Sequence, residues 1–231
     1  MIHVSNLCKY YLSGGKQTVA LDHVSFDIKE GEFVVILGPS GAGKSTLLNI
    51  LGGIDGLSEG EVLVDQQAIG QLSENALSFY RANLIGFIFQ FYNLIPTLTV
   101  YENIALMKDI KKDILDPMYV LERVGLKMHA KKFPNQLSGG EQQRVSIARA
   151  VTKNPKVLLC DEPTGALDSE TGSMVLQLLW DICREYRKTT IIVTHNASIA
   201  QAADKVITVK NGKIKDIQEN AHPLSIQEVE W

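Results

Sequence analysis

Residues 33–46 read Phe33-Val-Val-Ile-Leu37-Gly38-Pro39-Ser40-Gly41-Ala42-Gly43-Lys44-Ser45-Thr46. The first five are apolar without alternation, as in a strand buried on both faces of a parallel sheet. The glycine-rich stretch that follows has the spacing of a phosphate loop. Its glycines let successive backbone N–H groups turn inward and form a nest for phosphate oxygens. A helix expected from Ser45 to about Leu51 aims its positive end at the same anion, and Gly52-Gly53 ends it. Lys44 supplies a point charge for the β- and γ-phosphates, and the Ser45 hydroxyl can ligate Mg²⁺.

Outward from this stretch, His3–Tyr11, Val19–Ile28 and Glu61–Asp65 read as strands, with a loop at Gly14-Gly15. From about Phe91 to Ala150 the pattern is helical. Asp116-Pro117 reads as a cap followed by proline at the first helical position, and Gly125 closes that helix. A longer helix is expected from Gly140 to Val151. Buried-strand runs then resume at Val157–Cys160 and Thr190–Thr194, with a helix between them around Gly172–Tyr186. Val206–Val209, Asn211-Gly212 and Lys213–Ile217 read as a hairpin. Apolar strands alternating with helices predict a three-layer α/β fold whose ligand lies beyond the carboxyl ends of the strands. The expected organisation is a core over 1–90 and 151–217, a helical subdomain over 91–150, and a loosely held tail over 218–231 carrying Glu219, Glu228 and Glu230.

Chemistry is therefore sought after Leu37, Cys160 and Thr194. Asp161-Glu162 ends one of these strands. An aspartate there can hold Mg²⁺ beside a phosphate loop. Glu162 is free for another task, accepting a proton from, or orienting, an attacking water. Alone, the pair would read as a solvated acidic turn. His195 could hydrogen-bond a γ-phosphate, although a histidine at a strand end is more often structural. The amide of Gln90 could reach both Mg²⁺ and water.

Leu137-Ser138-Gly139-Gly140-Glu141 opens the helix ending near Val151. Ser138 and Glu141 have capping-box spacing. The two glycines weaken a first helical turn and make sense where something approaches the backbone closely. A glycine-opened helix N-terminus is a second anion surface. One nucleotide cannot easily use both surfaces of one chain, but a two-fold, head-to-tail dimer can place each nucleotide between one phosphate loop and the other chain's Ser138–Gly140.

Gly38–Thr46, Gln90, Leu137–Glu141, Asp161-Glu162, Ala166-Leu167-Asp168 and His195 occur in the order found in the ATP-binding-cassette (ABC) ATPases, which the chain resembles from Val4 to about Ile217. The resemblance implies a RecA-like phosphate-loop NTPase core with an antiparallel β subdomain and an inserted α-helical subdomain. It implies Tyr11 as the aromatic stacked on adenine (Tyr10 is its neighbour) and Thr46 near the α-phosphate. It implies Mg²⁺ between Ser45, Gln90 and Asp161, and Asp168 in a loop crossing the dimer interface. Catalysis of ATP hydrolysis would fall to Glu162, His195, Gln90 and Lys44. Glu141 stands where glutamine is commonest. The segment Ile85–Ile104 further resembles the branch of macrolide exporters, lipoprotein-releasing systems, antimicrobial-peptide resistance transporters and cell-division ATPases with FtsX-type permeases. That implies an integral-membrane permease partner and a place on the cytoplasmic face of the cell membrane. A non-transport ATPase signalling through a membrane partner, and a soluble cassette ATPase, are the alternatives.

Composition agrees. The chain has 231 residues, 45% hydrophobic and 21% charged, enough for a sizeable core. A net charge of −3 argues against nucleic acid as a partner. Cys8, Cys160 and Cys183 lack metal-like spacing and read as reduced thiols. No stretch reaches the roughly 18 apolar residues of a membrane span, and no secretory signal is expected.

Overall fold

The computed structural model describes residues 1–229. Ten strands run β1 (Ile2–Ser13), β2 (Lys16–Ile28), β3 (Phe33–Leu37), β4 (Glu59–Val64), β5 (Gln67–Ala68), β6 (Ile85–Ile88), β7 (Val157–Asp161), β8 (Thr189–Thr194), β9 (Lys205–Lys210) and β10 (Lys213–Glu219). Seven helices run α1 (Lys44–Leu51), α2 (Glu74–Asn83), α3 (Val100–Ala105), α4 (Met107–Ile110), α5 (Pro117–Arg123), α6 (Gly139–Thr152) and α7 (Ser169–Tyr186).

The main sheet has the order β10-β9-β3-β8-β7-β6 and is parallel except for β10. Alternate residues of β3 feed two separate cores. Phe33 and Val35 pack with α3, α5, α6 and α7. Val34 and Ile36 pack with α1 and the second sheet. This is why the run is apolar at every position. The second sheet, antiparallel in the order β2-β1-β4-β5, leans on the β9–β10 hairpin through Asp22 N–H donating to Gly212 O (2.9 Å).

Two elements went unread in the sequence, and one expectation needs amendment. Ile85–Ile88 is a full strand at the sheet edge, paired with β7. Helix α2 was not visible in the sequence, because among its residues only Tyr80 is buried and a single buried residue leaves no periodic stripe. The segment after β10 is docked rather than loose: Ile226 and Val229 are buried in the core beneath α7. Glu230 lies outside the described residues.

Candidate functional site

A cleft of about 750 Å³ opens at the carboxyl ends of β3, β7 and β8. Ser40, Gly41, Ala42, Gly43, Lys44, Ser45 and Thr46 line it together with Gln90, Asp161, Glu162 and His195. Four segments distant in sequence thus meet in one place, because parallel neighbours end on the same side of the sheet. Gly38 and Pro39 form the floor of the loop, where the Lys44 ammonium donates to their carbonyls at 2.7 and 3.0 Å. Glycine is required at 38, where a Cβ would lie 2.2 Å from Val209 O, and at 43, where φ is +101° and a Cβ would meet Ala20 O at 2.5 Å.

Ser45 Oγ donates to Asp161 Oδ1 at 3.1 Å. Burial holds the Asp161 carboxyl above its ordinary value, against the Ser45 hydrogen bond and the Lys44 charge, while the Glu162 charge adds to the rise. A half-buried carboxylate beside a hydroxyl and the Gln90 amide is a set of hard oxygen donors, which fits Mg²⁺.

Glu162 follows β7 with φ +46°, a left-handed conformation that costs a non-glycine residue about 1–3 kcal/mol. Its carboxylate is held at both oxygens: Thr194 Oγ1 donates to Oε2 at 3.0 Å and His195 Nδ1 donates to Oε1 at 2.9 Å. Thr194 was not singled out by the sequence. Thr18, Val19 and Ala20 also line the cleft and were likewise missed. Their only signal is register, Thr18 facing Tyr11 and Val19 facing Tyr10 across the β1–β2 hairpin. Tyr11 itself is not among the residues lining the cleft; its hydroxyl donates to Asp55 at 2.6 Å and one ring face is covered by the Lys9 ammonium, 4.8 Å from its centroid.

Leu137–Glu141 does not line this cleft. Ser138 and Glu141 form the expected capping box, with Ser138 N–H donating to Glu141 Oε2 at 2.7 Å. That backbone hydrogen bond keeps the Glu141 carboxyl below its ordinary value. The glycines have an internal reason as well. A Cβ on Gly140 would fall 2.1 Å from Thr171 Cγ2. Asp168 caps α7, accepting from Thr171 N–H at 2.9 Å and Thr171 Oγ1 at 2.8 Å. Elsewhere Cys8, Asp22 and His23 bring metal-binding atoms within 4.8 Å, a grouping their spacing did not suggest. The Lys213 ammonium, 3.0 Å from Asp22, opposes a cation there. All three cysteines are free and buried.

A phosphate loop, a half-buried acidic strand end and a remote glycine-opened helix define a nucleotide-hydrolysing cassette. Residues 21–165 match the family described as ABC transporter. The chain belongs to that family, as one of its ATP-binding ATPase subunits. It is 45% identical over 219 residues to an uncharacterized ABC transporter ATP-binding protein of Mycobacterium tuberculosis, covering 93% of this chain and 88% of that one. An ABC transporter ATP-binding protein of Mycoplasma pneumoniae is 44% identical over 234 residues, and the chain spans 50% of its length. Among solved structures, a dimeric post-hydrolysis state of the ATP-binding cassette MJ0796 of Methanocaldococcus jannaschii, bound to ADP and Pi, superposes with a TM-score of 0.87 at 41% identity. It covers 95% of this chain and 98% of the other. Among the described residues, no helix is long and apolar enough to cross a membrane.

Proposed function

We propose that two copies of this chain close around two ATP molecules and drive an FtsX-like membrane permease, in export or in antimicrobial-peptide resistance. The observation that carries the dimer is the separation of Ser138–Gly140 from the cleft of the same chain. The first N–H groups of α6 lack intrahelical acceptors, and phosphate oxygens on the partner's nucleotide suit them. The solved MJ0796 cassette is itself dimeric.

Within each cleft the loop N–H groups and Lys44 bind the phosphates, and Thr46 lies near the α-phosphate. Ser45, Gln90 and Asp161 would hold Mg²⁺, whose charge when bound offsets that of the β- and γ-phosphates. Glu162 takes a proton from water as the water oxygen bonds to the γ-phosphorus and the bond to the β–γ bridging oxygen breaks. ADP and phosphate are the products. Fixed donors already hold Glu162, so it need not reorganise during the step. Tyr11 supports the adenine, and Asp168 stands at the interface between the copies.

Glu162→Gln keeps the shape of the site and removes the proton acceptor. It is expected to bind ATP, hydrolyse it slowly and accumulate as an ATP-dependent dimer in light scattering. A protein that stays monomeric over a wide range of protein and ATP concentrations would overturn the dimer. The permease reading is tested by extraction from native membranes, treated below.

A further inference from the structure

Gln143 is fully buried and lies one turn into α6, five residues beyond Ser138. It does not line the cleft. Its amide nitrogen donates to Pro163 O at 2.8 Å and to Phe89 O at 3.4 Å. Phe89 immediately precedes Gln90, and Pro163 immediately follows Glu162. One side chain therefore bridges the two backbone segments that carry Gln90 and Glu162. The bridge falls where restraint is most needed, because Glu162 holds a left-handed φ of +46° and such conformations persist only when their surroundings over-determine them. The carbonyl side of the same amide is buried without a hydrogen-bond partner. An amide half-satisfied in the core is retained here for its two N–H donors. The helix that carries it is seated by Gly140 directly against Thr171.

We propose that Gln143 is a positioning residue coupling the N-terminus of α6 to the hydrolytic site. When Ser138–Gly140 docks on the partner's nucleotide, the displacement of α6 passes through the Gln143 amide to Phe89–Gln90 and to Glu162–Pro163 of its own chain. Dimer closure would then set the backbone on which each chain carries Gln90 and Glu162, while Thr194 and His195 keep hold of the Glu162 carboxylate. The inference rests on the dimer reading given above.

The test compares wild type with Q143E, which keeps the length and loses both donors, and with Q143M, which fills the same space without charge. Steady-state kcat and KM, ATP affinity and thermal midpoint are measured on each. The expected result is a kcat lower by about 10- to 100-fold, the scale of a small misplacement at a reacting centre, with KM and ATP affinity unchanged. E162Q/Q143M should still form the ATP-dependent dimer. Unchanged kcat in both single variants would overturn the proposal. So would a parallel fall of kcat, affinity and thermal midpoint, which marks a structural contact only; if Q143E does not fold, Q143M decides. Failure of E162Q alone to dimerise with ATP would remove the dimer reading, and this inference with it.

Discussion

An ionised carboxylate only accepts hydrogen bonds, and this constrains His195. With Nδ1 2.9 Å from Glu162 Oε1, the ring proton sits on Nδ1. A neutral imidazole then has a bare Nε2, which cannot donate to a phosphate oxygen. In this arrangement the ring orients Glu162, and a donor bond to the γ-phosphate would need a second proton. Two substitutions separate the roles. The Asn amide nitrogen falls close to the Nδ1 position and can still donate to Glu162; the Gln amide nitrogen falls close to Nε2. His195→Asn is expected to keep kcat within about 10-fold of wild type, and His195→Gln to lose on the order of 100-fold, the scale of a general acid–base contribution. The reverse order in a single-turnover assay would place the essential donor on Nε2.

Helix α6 is constrained at both ends, for different reasons. At its start, Gly140 leaves no room for a methyl group beside Thr171. Gly140→Ala forces α6 away from α7 and should cost about 1–3 kcal/mol, as overpacking usually does. Thr171→Ser removes the opposing methyl while keeping the hydroxyl that Asp168 accepts from. The double variant should therefore recover most of that loss in denaturant titration, and a purely additive cycle would show that the two residues do not clash. At its end, Lys153 donates to Arg81 O at 2.7 Å. Burial, with the charges of Lys111 and Arg81, pushes its ammonium down to about 8. The unfolded chain, with lysine near its ordinary value of about 10.4, binds more protons between these two values, so stability rises with pH across that window. Relative to Lys153→Met, wild type should gain up to about 3 kcal/mol between pH 7.5 and pH 10. A pH-independent difference in denaturation midpoints would show that the ammonium is not buried in solution.

At the scale of the molecule, what could be read from the sequence was whatever is written contiguously. The phosphate loop and the Ser138–Glu141 box each lie within one short stretch of chain, so spacing showed them, and Asp161-Glu162 became readable beside the phosphate loop. Thr194 on Glu162, Gln143 on Pro163, and Thr18–Ala20 at the cleft depend on pairing between remote segments, which no local pattern encodes. Helix α2 was lost for a different reason, its single buried residue, Tyr80. The same limit would apply to a contact surface for the proposed membrane partner, since the loop after Gln90 and the turn before α6 meet only in the fold. There Phe91, Tyr92, Pro96 and Pro134 line a groove of about 360 Å³, and the Phe91 side chain is 76% exposed. The loop is held rather than loose. Arg149 donates to Asn93 O and Tyr92 O at 2.7 and 3.1 Å, and the buried Asn103 amide donates to Ile95, Leu98 and Thr99 carbonyls at 3.0 Å. A preorganised groove beside Gln90, with Phe91, Leu94 and the two prolines as its apolar part, would suit a short helix of the proposed permease, because binding it loses little loop entropy. Wild type extracted in mild detergent should co-purify with an integral-membrane protein, and Phe91→Asp should lose that partner while the free chain still hydrolyses ATP, since Gln90 faces the cleft and Phe91 faces solvent. If Phe91→Asp co-purifies as well as wild type, the groove is not the docking face. If wild type emerges free of any membrane protein, the transport reading falls and the ATP chemistry stands without it.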